Sequence, residues 1–550
     1  MNKKNLSKKL LLVLILGLSL SIKAQVNNNF EISKSIDIYN SLFKELNINY
    51  VDEVNPGKLN EAAINAMLED LDPYTVFVPE SQIEDMRMMT TGEYGGIGSL
   101  IQQMGDYVII SEPYEGFPAQ KSGLIPGDII LEINDFNTVK KASSEISELL
   151  KGVPGSVVRL KIQRAGRPEP FTVELTREKI KLDNIPYHTI LDSGVGYILL
   201  NGFTQKAAAE LKDIFVKMKE QTQLKGLIID LRGNGGGLLN EAVDIANIFV
   251  NKNELIVSTK GKSPERTSVH RTRLSPVDLE IPLVVLVNES SASASEIVAG
   301  SLQDLDRAVI VGQKTFGKGL VQNVVPLTYN TQLKITVAKY YIPSGRCIQA
   351  IDYSHIKENG GKIPDSLVST FKTRNGRTVY DNGGIMPDIA LEPFEFSPVT
   401  AHLYGSNLFF KYANKFALEH QTIPPVNEFE ITDSIYDEFM QFLEDDKFTY
   451  TTESEKRLGE LKQIAEDESY LQDVSNQLLA LEEQFKTIKQ NDIKKHRPEI
   501  ERILRSEIAS RYYYQKGKII TALKHDPEIE KAVEIILDKE KTKAILLGKI

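Results

Sequence analysis

Residues 283–297 read LVVLVNESSASASEI. The apolar run that opens this segment predicts a buried strand, and the apolar positions that follow Glu296 at helical spacing predict a helix. A serine hydroxyl at such a turn lies beside backbone N–H groups that have no partner at the helix N-terminus, and these groups can stabilise an oxyanion. Ser293 is therefore a candidate nucleophile. The alternative is that Ser293 or Ser295 only caps the helix, because serine is preferred there and Glu296 follows.

The same order of strand and helix continues on both sides of this turn. It predicts an α/β core with parallel strands, in which functional sites gather at the strand-to-helix turns. The predicted segments are strands 196–200, 226–231, 283–287 and 309–312 and helices 207–222, 239–249 and 295–304.

A glycine-rich loop follows one of these strands, where residues 230–237 read DLRGNGGG. Glycine loops at strand ends often bind phosphate. Here no Gly-Lys-Ser/Thr closes the loop, and the glycine spacing is not that of a dinucleotide-binding motif. A backbone N–H donor for an oxyanion is the better interpretation.

Residues 312–319 read GQKTFGKG and also follow a predicted strand. A lysine deprotonates serine only in its neutral form, which requires an apolar and partly desolvated environment. The apolar neighbours Phe316 and Leu320 favour such an environment for Lys318, which makes it a candidate general base. Lys314, two residues after the strand, stays the competing candidate.

Together these motifs resemble the carboxyl-terminal processing peptidases, or tail-specific proteases, a serine-protease family with a Ser–Lys dyad and an embedded PDZ domain. The resemblance covers roughly residues 30–392. The motifs that carry it are DLRGNGGG at 230–237, SASASE at 291–296, TFGKG at 315–319 with Gln322, YIPSGR at 341–346 and GIMPDI at 384–389.

The resemblance implies an α/β protease core of the ClpP/crotonase-like kind that needs no metal or other cofactor. It makes Ser293 the nucleophile, Lys318 the general base and Gln322 the residue that orients this lysine. It also implies an oxyanion hole, built from the backbone of Ala294 and of one loop glycine, Gly236 or Gly237.

Three further positions are of interest in this alignment. Asp304 aligns with an acidic residue implicated in the family, although a structural salt bridge, for instance to Arg307, is the alternative interpretation. The family commonly has proline where Gly235 stands and a small hydroxyl residue where Cys347 stands. We expect the first difference to loosen the oxyanion loop and the second to be tolerated.

A PDZ-like unit of about ninety residues precedes the core. Residues 118–130, PAQKSGLIPGDII, match the PDZ pattern. Residues 94–98 resemble the loop whose backbone N–H groups bind a chain-terminal carboxylate while the peptide adds as a strand at the sheet edge. We therefore expect protein and peptide partners that bind by their C-termini. The alternative is a PDZ fold that only holds domains together. The loop residues are Tyr94, Gly95, Gly96, Ile97 and Gly98.

The N-terminus has the layout of a secretory signal peptide. Four lysines precede the apolar run Leu10–Ile22, and cleavage is expected near Ala24. The run is short of the ~20 residues that span a bilayer as a helix, so we expect export to the periplasm or cell envelope. An uncleaved membrane anchor is the alternative.

Five segments are expected along the chain. After the signal peptide (1–24) come a helical region (27–85) with a helical pair broken at residues 55–57, the PDZ domain (86–176), the protease core (177–392) and a charged helical domain (393–550). We interpret the last segment as an accessory domain. A contact for a homo-oligomer or an adaptor is the alternative.

Composition and motif spacing argue against several other classes of function. The net charge of −10 and the lack of a basic face argue against nucleic-acid binding. None of the seven histidines lies in a comparable strand-end motif, which disfavours a Ser–His–Asp triad, and no cluster has zinc-ligand spacing. The sequence predicts an exported serine endopeptidase. The rival is a tail-binding protein that keeps the fold without catalysis.

Overall fold

The computed structural model describes residues 29–353, 361 and 368–549, so the predicted signal peptide and its cleavage point near Ala24 lie outside the described residues. The chain divides into two compact units after Phe77. Asn55 caps the second helix of the first unit, because its side chain accepts a hydrogen bond from the Lys58 N–H at 3.1 Å. The helical pair predicted around residues 55–57 is confirmed. The elements are helix α1 (29–49), helix α2 (Pro56–Glu69) and strand β1 (Val76–Val78), which crosses the division.

The second unit begins with the PDZ region. Its elements are helix α3 (Ile83–Thr91), strands β2 (Glu93–Gly96), β3 (Ser99–Met104) and β4 (Tyr107–Pro113), helix α4 (Pro118–Lys121), strands β5 (Ile129–Ile133) and β6 (Phe136–Asn137), helix α5 (Ser143–Leu150), and strands β7 (Val157–Gln163), β8 (Phe171–Thr176) and β9 (Glu178–Lys181). The antiparallel sheet has the order β3-β4-β5-β7-β8. Strand β3 lies at one edge and α5 packs beside it.

The α/β core follows in the chain. Its elements are strands β10 (Tyr187–Ile190) and β11 (Val195–Leu199), helix α6 (Ala207–Gln221), strand β12 (Gly226–Asp230), helix α7 (Leu239–Asn247), strands β13 (Leu255–Gly261), β14 (Ser268–Arg271) and β15 (Leu283–Val287), helix α8 (Ala294–Asp304), and strands β16 (Val309–Gly312), β17 (Leu320–Pro326), β18 (Gln332–Tyr341), β19 (Thr370–Lys372), β20 (Thr378–Tyr380) and β21 (Ile389–Ala390).

The central sheet has the order β10-β11-β12-β15-β16-β21, with β10 antiparallel at the edge and the other strands parallel. Helices α6, α7 and α8 cover one face of this sheet with apolar side chains such as Phe215, Ile245 and Leu302. The carboxyl ends of parallel strands meet at one edge, so the turns after β12, β15 and β16 come together there. Strands β13, β14, β17 and β18 belong to a second, antiparallel sheet, in which β13 pairs with β14 and β18, and β18 also pairs with β17.

Helices make up the rest of the described chain. They are α9 (Pro398–Gly405), α10 (Leu408–Glu419), α11 (Asp433–Asp445), α12 (Glu453–Asp467), α13 (Leu471–Lys495), α14 (Arg497–Leu523), α15 (Pro527–Leu537) and α16 (Lys539–Leu546). Among the described residues, no helix is long and apolar enough to span a bilayer.

These helices pack in two different places. Ile500, Leu504 and Ile508 of α14 enter an aromatic-rich core with α9, α10 and α11, so the apolar face read from the sequence is confirmed there. Helices α15 and α16 instead cover the second face of the central sheet. There Ile535 and Ile536 are buried with the strand residues of that face.

The helices α9–α14 also contact the PDZ region. The Gln102 amide of β3 donates to the Asn407 side chain at 3.0 Å, and the Gln120 amide of α4 donates to the Tyr514 hydroxyl at 3.1 Å. The observed architecture confirms the predicted fold: an α/β core, a β-rich PDZ domain and helical regions at both ends of the described chain.

Candidate active site

Ser293 lies between β15 and α8, directly before the first residue of the helix. Its φ of 56° is a conformation that costs a residue other than glycine about 1–3 kcal/mol and persists where the surroundings impose it. Ser293 is half-buried, whereas its neighbours Ala292 and Ala294 are buried. The interpretation of Ser293 as an N-cap is also correct, since it occupies the N-cap position of α8. The two interpretations are compatible.

The buried carboxylate of Glu296 joins the serine turn to the lysine loop. One of its oxygens accepts hydrogen bonds from the N–H groups of Ser293 and Lys318, both at 2.8 Å. The other accepts from the Thr315 hydroxyl at 2.6 Å and from the Gly317 N–H at 2.8 Å. Burial raises the pKa of Glu296, and these hydrogen bonds act in the opposite direction. A single side chain therefore fixes the spacing of two loops that come from different strands.

The glycine loop after β12 lies against the serine turn. The Ala292 N–H donates to the Asn234 carbonyl at 3.0 Å, and the Ser295 hydroxyl donates to the same carbonyl at 2.8 Å. The Gly236 N–H donates to the Asn234 side chain at 2.9 Å. The N–H groups of Gly237 and Ala294 donate to no acceptor within the described part of the chain. Of the two loop glycines predicted for an oxyanion hole, Gly237 is thus the one whose N–H is available.

One cavity of 490 Å³ brings the three loops together. Ser293, Ala294 and the glycines 235–237 line it, and half-buried Lys318 lines it from the third loop. The Tyr340 hydroxyl donates to the Lys318 carbonyl and so holds this loop against β18. Most of the remaining lining is apolar: Met86, Met89, Leu238, Leu239, Ile297, Leu320, Val321 and Val324, with Thr90, Gln322 and Lys334 as the polar members.

Two other lysines lie near this site. Lys334 of β18 lines the cavity, and burial lowers the pKa of its amine. Sequence reasoning missed Lys334, because no motif surrounds it and only the pairing of β17 with β18 brings it to the cavity. Lys314, the competing candidate, has an exposed side chain whose amine donates to the Asn382 carbonyl at 2.7 Å. Partial desolvation lowers the pKa of Lys314 too, but this lysine is not among the described residues that line the cavity.

Of two further predicted site residues, Gln322 reaches the cavity and Asp304 does not. Gln322 lines the cavity, and its amide donates to the Thr336 hydroxyl at 3.2 Å. Asp304 lies at the far end of α8, an 11-residue helix that places it about 16 Å along the axis from Ser293. The structure therefore does not bring Asp304 to the cavity.

Asp304 takes part in a buried ion pair instead. Its carboxylate pairs with Arg346 at 2.8 Å and accepts the Ser344 N–H at 2.9 Å. The salt bridge between Asp304 and Arg307 that the sequence suggested is wrong, since the Arg307 guanidinium donates to the carbonyls of Phe249 and Asp278. Asp304 thus holds the YIPSGR segment against α8.

The candidate carboxylate-binding loop of the PDZ domain joins β2 to β3. Tyr94, Gly95 and Gly96 belong to β2, which pairs with β9. Ile97 is buried and its carbonyl accepts the Ala119 N–H at 2.8 Å. The N–H groups of Ile97 and Gly98 donate to no acceptor among the residues described. Free N–H groups beside an open edge strand are what a terminal carboxylate and an added strand require.

No group of three or more His, Cys, Asp or Glu side chains within 29–353, 361 and 368–549 is arranged to hold a metal ion.

Helix α3 connects the cavity with the PDZ domain. It contributes Met86 and Met89 to the lining, and its Asp85 pairs with Lys151 at the end of α5 at 2.5 Å.

Three family descriptions match the chain. Residues 194–365 match "Peptidase family S41", residues 109–164 match "PDZ domain", and residues 399–536 match "Probable PDZ-protease, C-terminal helical domain".

Similar proteins carry related names. The "Carboxy-terminal-processing protease" of Bartonella bacilliformis is 37% identical over 343 residues, which are 61% of this chain and 78% of that protein. The "Probable CtpA-like serine protease" of Staphylococcus aureus is 35% identical over 334 residues, 60% of this chain and 64% of that protein. Among solved structures, the photosystem II D1 C-terminal processing protease is 27% identical, with a TM-score of 0.36 over 64% of this chain and 92% of that chain.

The identity to the Bartonella protein extends over most of that protein's length, and the matched family ranges include the serine turn, the glycine loop, the lysine loop and strands β5 to β7 of the PDZ sheet. The chain therefore belongs to peptidase family S41, as a C-terminal processing serine protease with a PDZ domain.

Proposed function

We propose that this chain is an exported endopeptidase in which Ser293 and Lys318 form the catalytic dyad. One observation carries the proposal: Ser293, Lys318 and the glycine loop line the same cavity, where the N–H groups of Ala294 and Gly237 have no acceptor among the described residues. These are the parts that acyl transfer requires, namely a nucleophile, a base and donors for the oxyanion.

The chemistry follows from this arrangement. The neutral amine of Lys318 takes the proton of the Ser293 hydroxyl while Oγ attacks the peptide carbonyl carbon. The resulting oxyanion accepts hydrogen bonds from the N–H groups of Ala294 and Gly237. As the C–N bond breaks, the lysine returns the proton to the leaving amine, and an ester on Ser293 remains. A water molecule, deprotonated by the same lysine, then hydrolyses this ester and regenerates the serine.

The surroundings of Lys318 support its role as the base. Apolar lining such as Leu320 and Ile297 favours the neutral form of an amine, because burial disfavours charge. Its loop is also tied to the Ser293 N–H through Glu296. Lys334 shares the cavity without that tie, and Lys314 bonds a carbonyl elsewhere.

The PDZ domain is proposed to capture substrates by their C-termini. The terminal carboxylate would bind the N–H groups of Ile97 and Gly98, and the peptide would add as a strand to β3, the open edge of the sheet. We further propose that the substrates are proteins of the periplasm or cell envelope, because the N-terminal sequence has the layout of a signal peptide.

A cleavage assay on an unfolded protein with an apolar C-terminus tests the dyad. Ser293→Ala and Lys318→Met should abolish cleavage, whereas Lys314→Met and Lys334→Met should retain it within about tenfold. If Lys334→Met is inactive and Lys318→Met is active, the base has been assigned wrongly. Retention of cleavage by Ser293→Ala would exclude the dyad altogether.

The two other elements of the proposal have separate tests. Amidation of the substrate C-terminus should weaken its binding at least tenfold, since the amide loses the charge that the N–H groups recognise. Equal binding of the two substrates contradicts capture by the carboxylate.

N-terminal sequencing of the protein from the producing cell should show a mature chain that begins near residue 25, and an intact Met1 would refute cleavage of the signal peptide.

A further inference from the structure

Arg232 lies between β12 and the glycine loop, and its guanidinium is surrounded by carboxylates. It donates to both Asp230 oxygens, at distances from 2.6 to 3.1 Å. Asp526 and Glu528, at the start of α15, pair with it at 2.9 and 2.5 Å. Burial disfavours the charge of Arg232, but the three carboxylates outweigh it and raise the pKa of this side chain. The cluster is an ion-pair network in which one guanidinium joins two parts of the chain that are nearly 300 residues apart.

Glu528 contacts a second loop of the active site. Its other oxygen accepts a hydrogen bond from the Gln313 amide at 2.5 Å. Gln313 directly follows β16 and begins the loop that carries Lys318. One carboxylate from the C-terminal helices therefore contacts the starting points of the oxyanion loop and of the lysine loop.

The position of Glu528 is fixed by apolar packing. Helix α15 lies on the second face of the central sheet, where Ile529 and Ile536 are buried against strand residues such as Ile228 and Leu286. The Asp526 side chain caps the helix by accepting hydrogen bonds from the N–H groups of Glu528 and Ile529. The Glu528 side chain is 14% exposed. Glu528 is thus part of a packed and capped helix, which holds its carboxylate in contact with Arg232 and Gln313.

Short polar contacts lead from Arg232 to the serine turn. The N–H of the next residue, Gly233, donates to the Asn288 side chain at 2.9 Å. The Ser291 hydroxyl donates to the Leu231 carbonyl at 2.8 Å, and the Asn234 carbonyl accepts the Ala292 N–H. A shift of Arg232 would therefore move the glycine loop relative to the turn that carries Ser293.

We propose that Glu528, supported by Asp526, is a positioning residue for the proteolytic reaction, which acts through Arg232 and Gln313 to hold the oxyanion loop and the lysine loop in register. This inference rests on the proposed dyad. It gives the end of the helical domain a part in catalysis, although Glu528 itself does not touch the substrate.

The test compares Glu528→Gln with Glu534→Gln in the full-length protein. Glu534 lies on the same helix, is half exposed and pairs, within the described part of the chain, with Lys531 and Lys541 alone, so it controls for loss of a helix carboxylate. Glu528→Gln should lower kcat about 10-fold to 100-fold, the range expected for a small misplacement of reacting groups. KM should change less than about twofold, and Glu534→Gln should match the wild type.

A second measurement separates positioning from a general loss of structure. A peptide boronate forms a bond to the serine and places an oxygen in the oxyanion hole, so its affinity should fall by the same factor as kcat. The affinity of a peptide for the PDZ domain should not change. Asp526→Asn, which keeps Glu528 in place, should give a smaller effect in the same direction.

The outcomes distinguish the two proposals. Inactive Ser293→Ala together with wild-type kcat and boronate affinity in Glu528→Gln overturns the role of Glu528 alone. A fall in the affinities of boronate and PDZ peptide together also overturns it, because that result indicates general destabilisation. Cleavage by Ser293→Ala overturns the dyad and the inference with it.

Discussion

The substitution Gly236→Ala tests the geometry of the proposed oxyanion hole. A Cβ atom at this position would lie 2.8 Å from the Cβ of Ser293, 2.9 Å from the Ala294 nitrogen and 2.7 Å from the Ala292 carbonyl oxygen. Carbon atoms do not approach this closely without displacement, and two of the three atoms belong to the backbone. The added methyl group would therefore compete with the oxyanion for the space in front of the Ala294 N–H.

The size of the effect can be estimated from these contacts. Loss of one oxyanion donor costs about 2.7–4 kcal/mol in the activation free energy, which corresponds to a fall in kcat of about 10²–10³. The φ of +99° at Gly236 adds a strain of about 1–3 kcal/mol that lowers the free energy of unfolding. We therefore expect kcat to fall by at least about 100-fold, with a moderate loss of stability.

The matched control is Gly235→Ala in the same loop. A Cβ at Gly235 would meet no atom within 4 Å, and this residue does not have the positive φ of its neighbours. We expect kcat within about threefold of the wild type.

Steady-state cleavage of a peptide with a chromogenic or fluorogenic leaving group measures kcat and KM for both variants, and urea unfolding measures their stability. Wild-type kcat in Gly236→Ala would refute the proposed position of the oxyanion. Equal losses in the two variants would show that the loop tolerates no side chain at all, which contradicts the argument from these particular contacts.

Three other variants probe the structure around the site. Glu296→Gln should lower kcat at least about 100-fold and the free energy of unfolding by about 1–3 kcal/mol. Each carboxylate oxygen of Glu296 accepts two hydrogen bonds, so an amide nitrogen in either place would face two donors. Unchanged cleavage and unchanged urea unfolding would contradict this prediction. Burial raises the pKa of Glu112, so the ionisation of this side chain lowers the stability of the folded protein as pH rises through that pKa. Glu112→Gln should therefore raise the thermal unfolding midpoint at pH 7 but not at pH 4. An equal shift at both pH values would exclude a charge effect. Ile536→Ala should cost about 2–5 kcal/mol in urea unfolding if α15 belongs to the core of the protease, and a loss below about 1 kcal/mol would indicate a detachable helix.

Much of this site could be predicted from sequence because its parts are local. Ser293 follows a buried strand and precedes a helix, and the structure has both elements within a residue of the predicted bounds. The glycine loop and the lysine loop also follow predicted strands. Parallel strands bring such turns to one edge of a sheet, so their order in the chain is enough to predict that they meet.

Contacts between distant segments could not be predicted in this way. Lys334 reaches the cavity only through strand pairing, and Asp304 finds Arg346 rather than Arg307 because the chain folds back after β18. Charged residues are frequent along the chain, and spacing does not say which of them pair.

The sequence alone determined the elements, the order of the motifs and the residue types at the cavity, because periodicity, glycine and proline act within a few neighbours. The tertiary structure decided which N–H groups remain available, which lysines enter the cavity and that the last helices cover the protease sheet. These features depend on packing between elements that are far apart in the chain. Their free energy comes from burial and geometry, which no local pattern encodes.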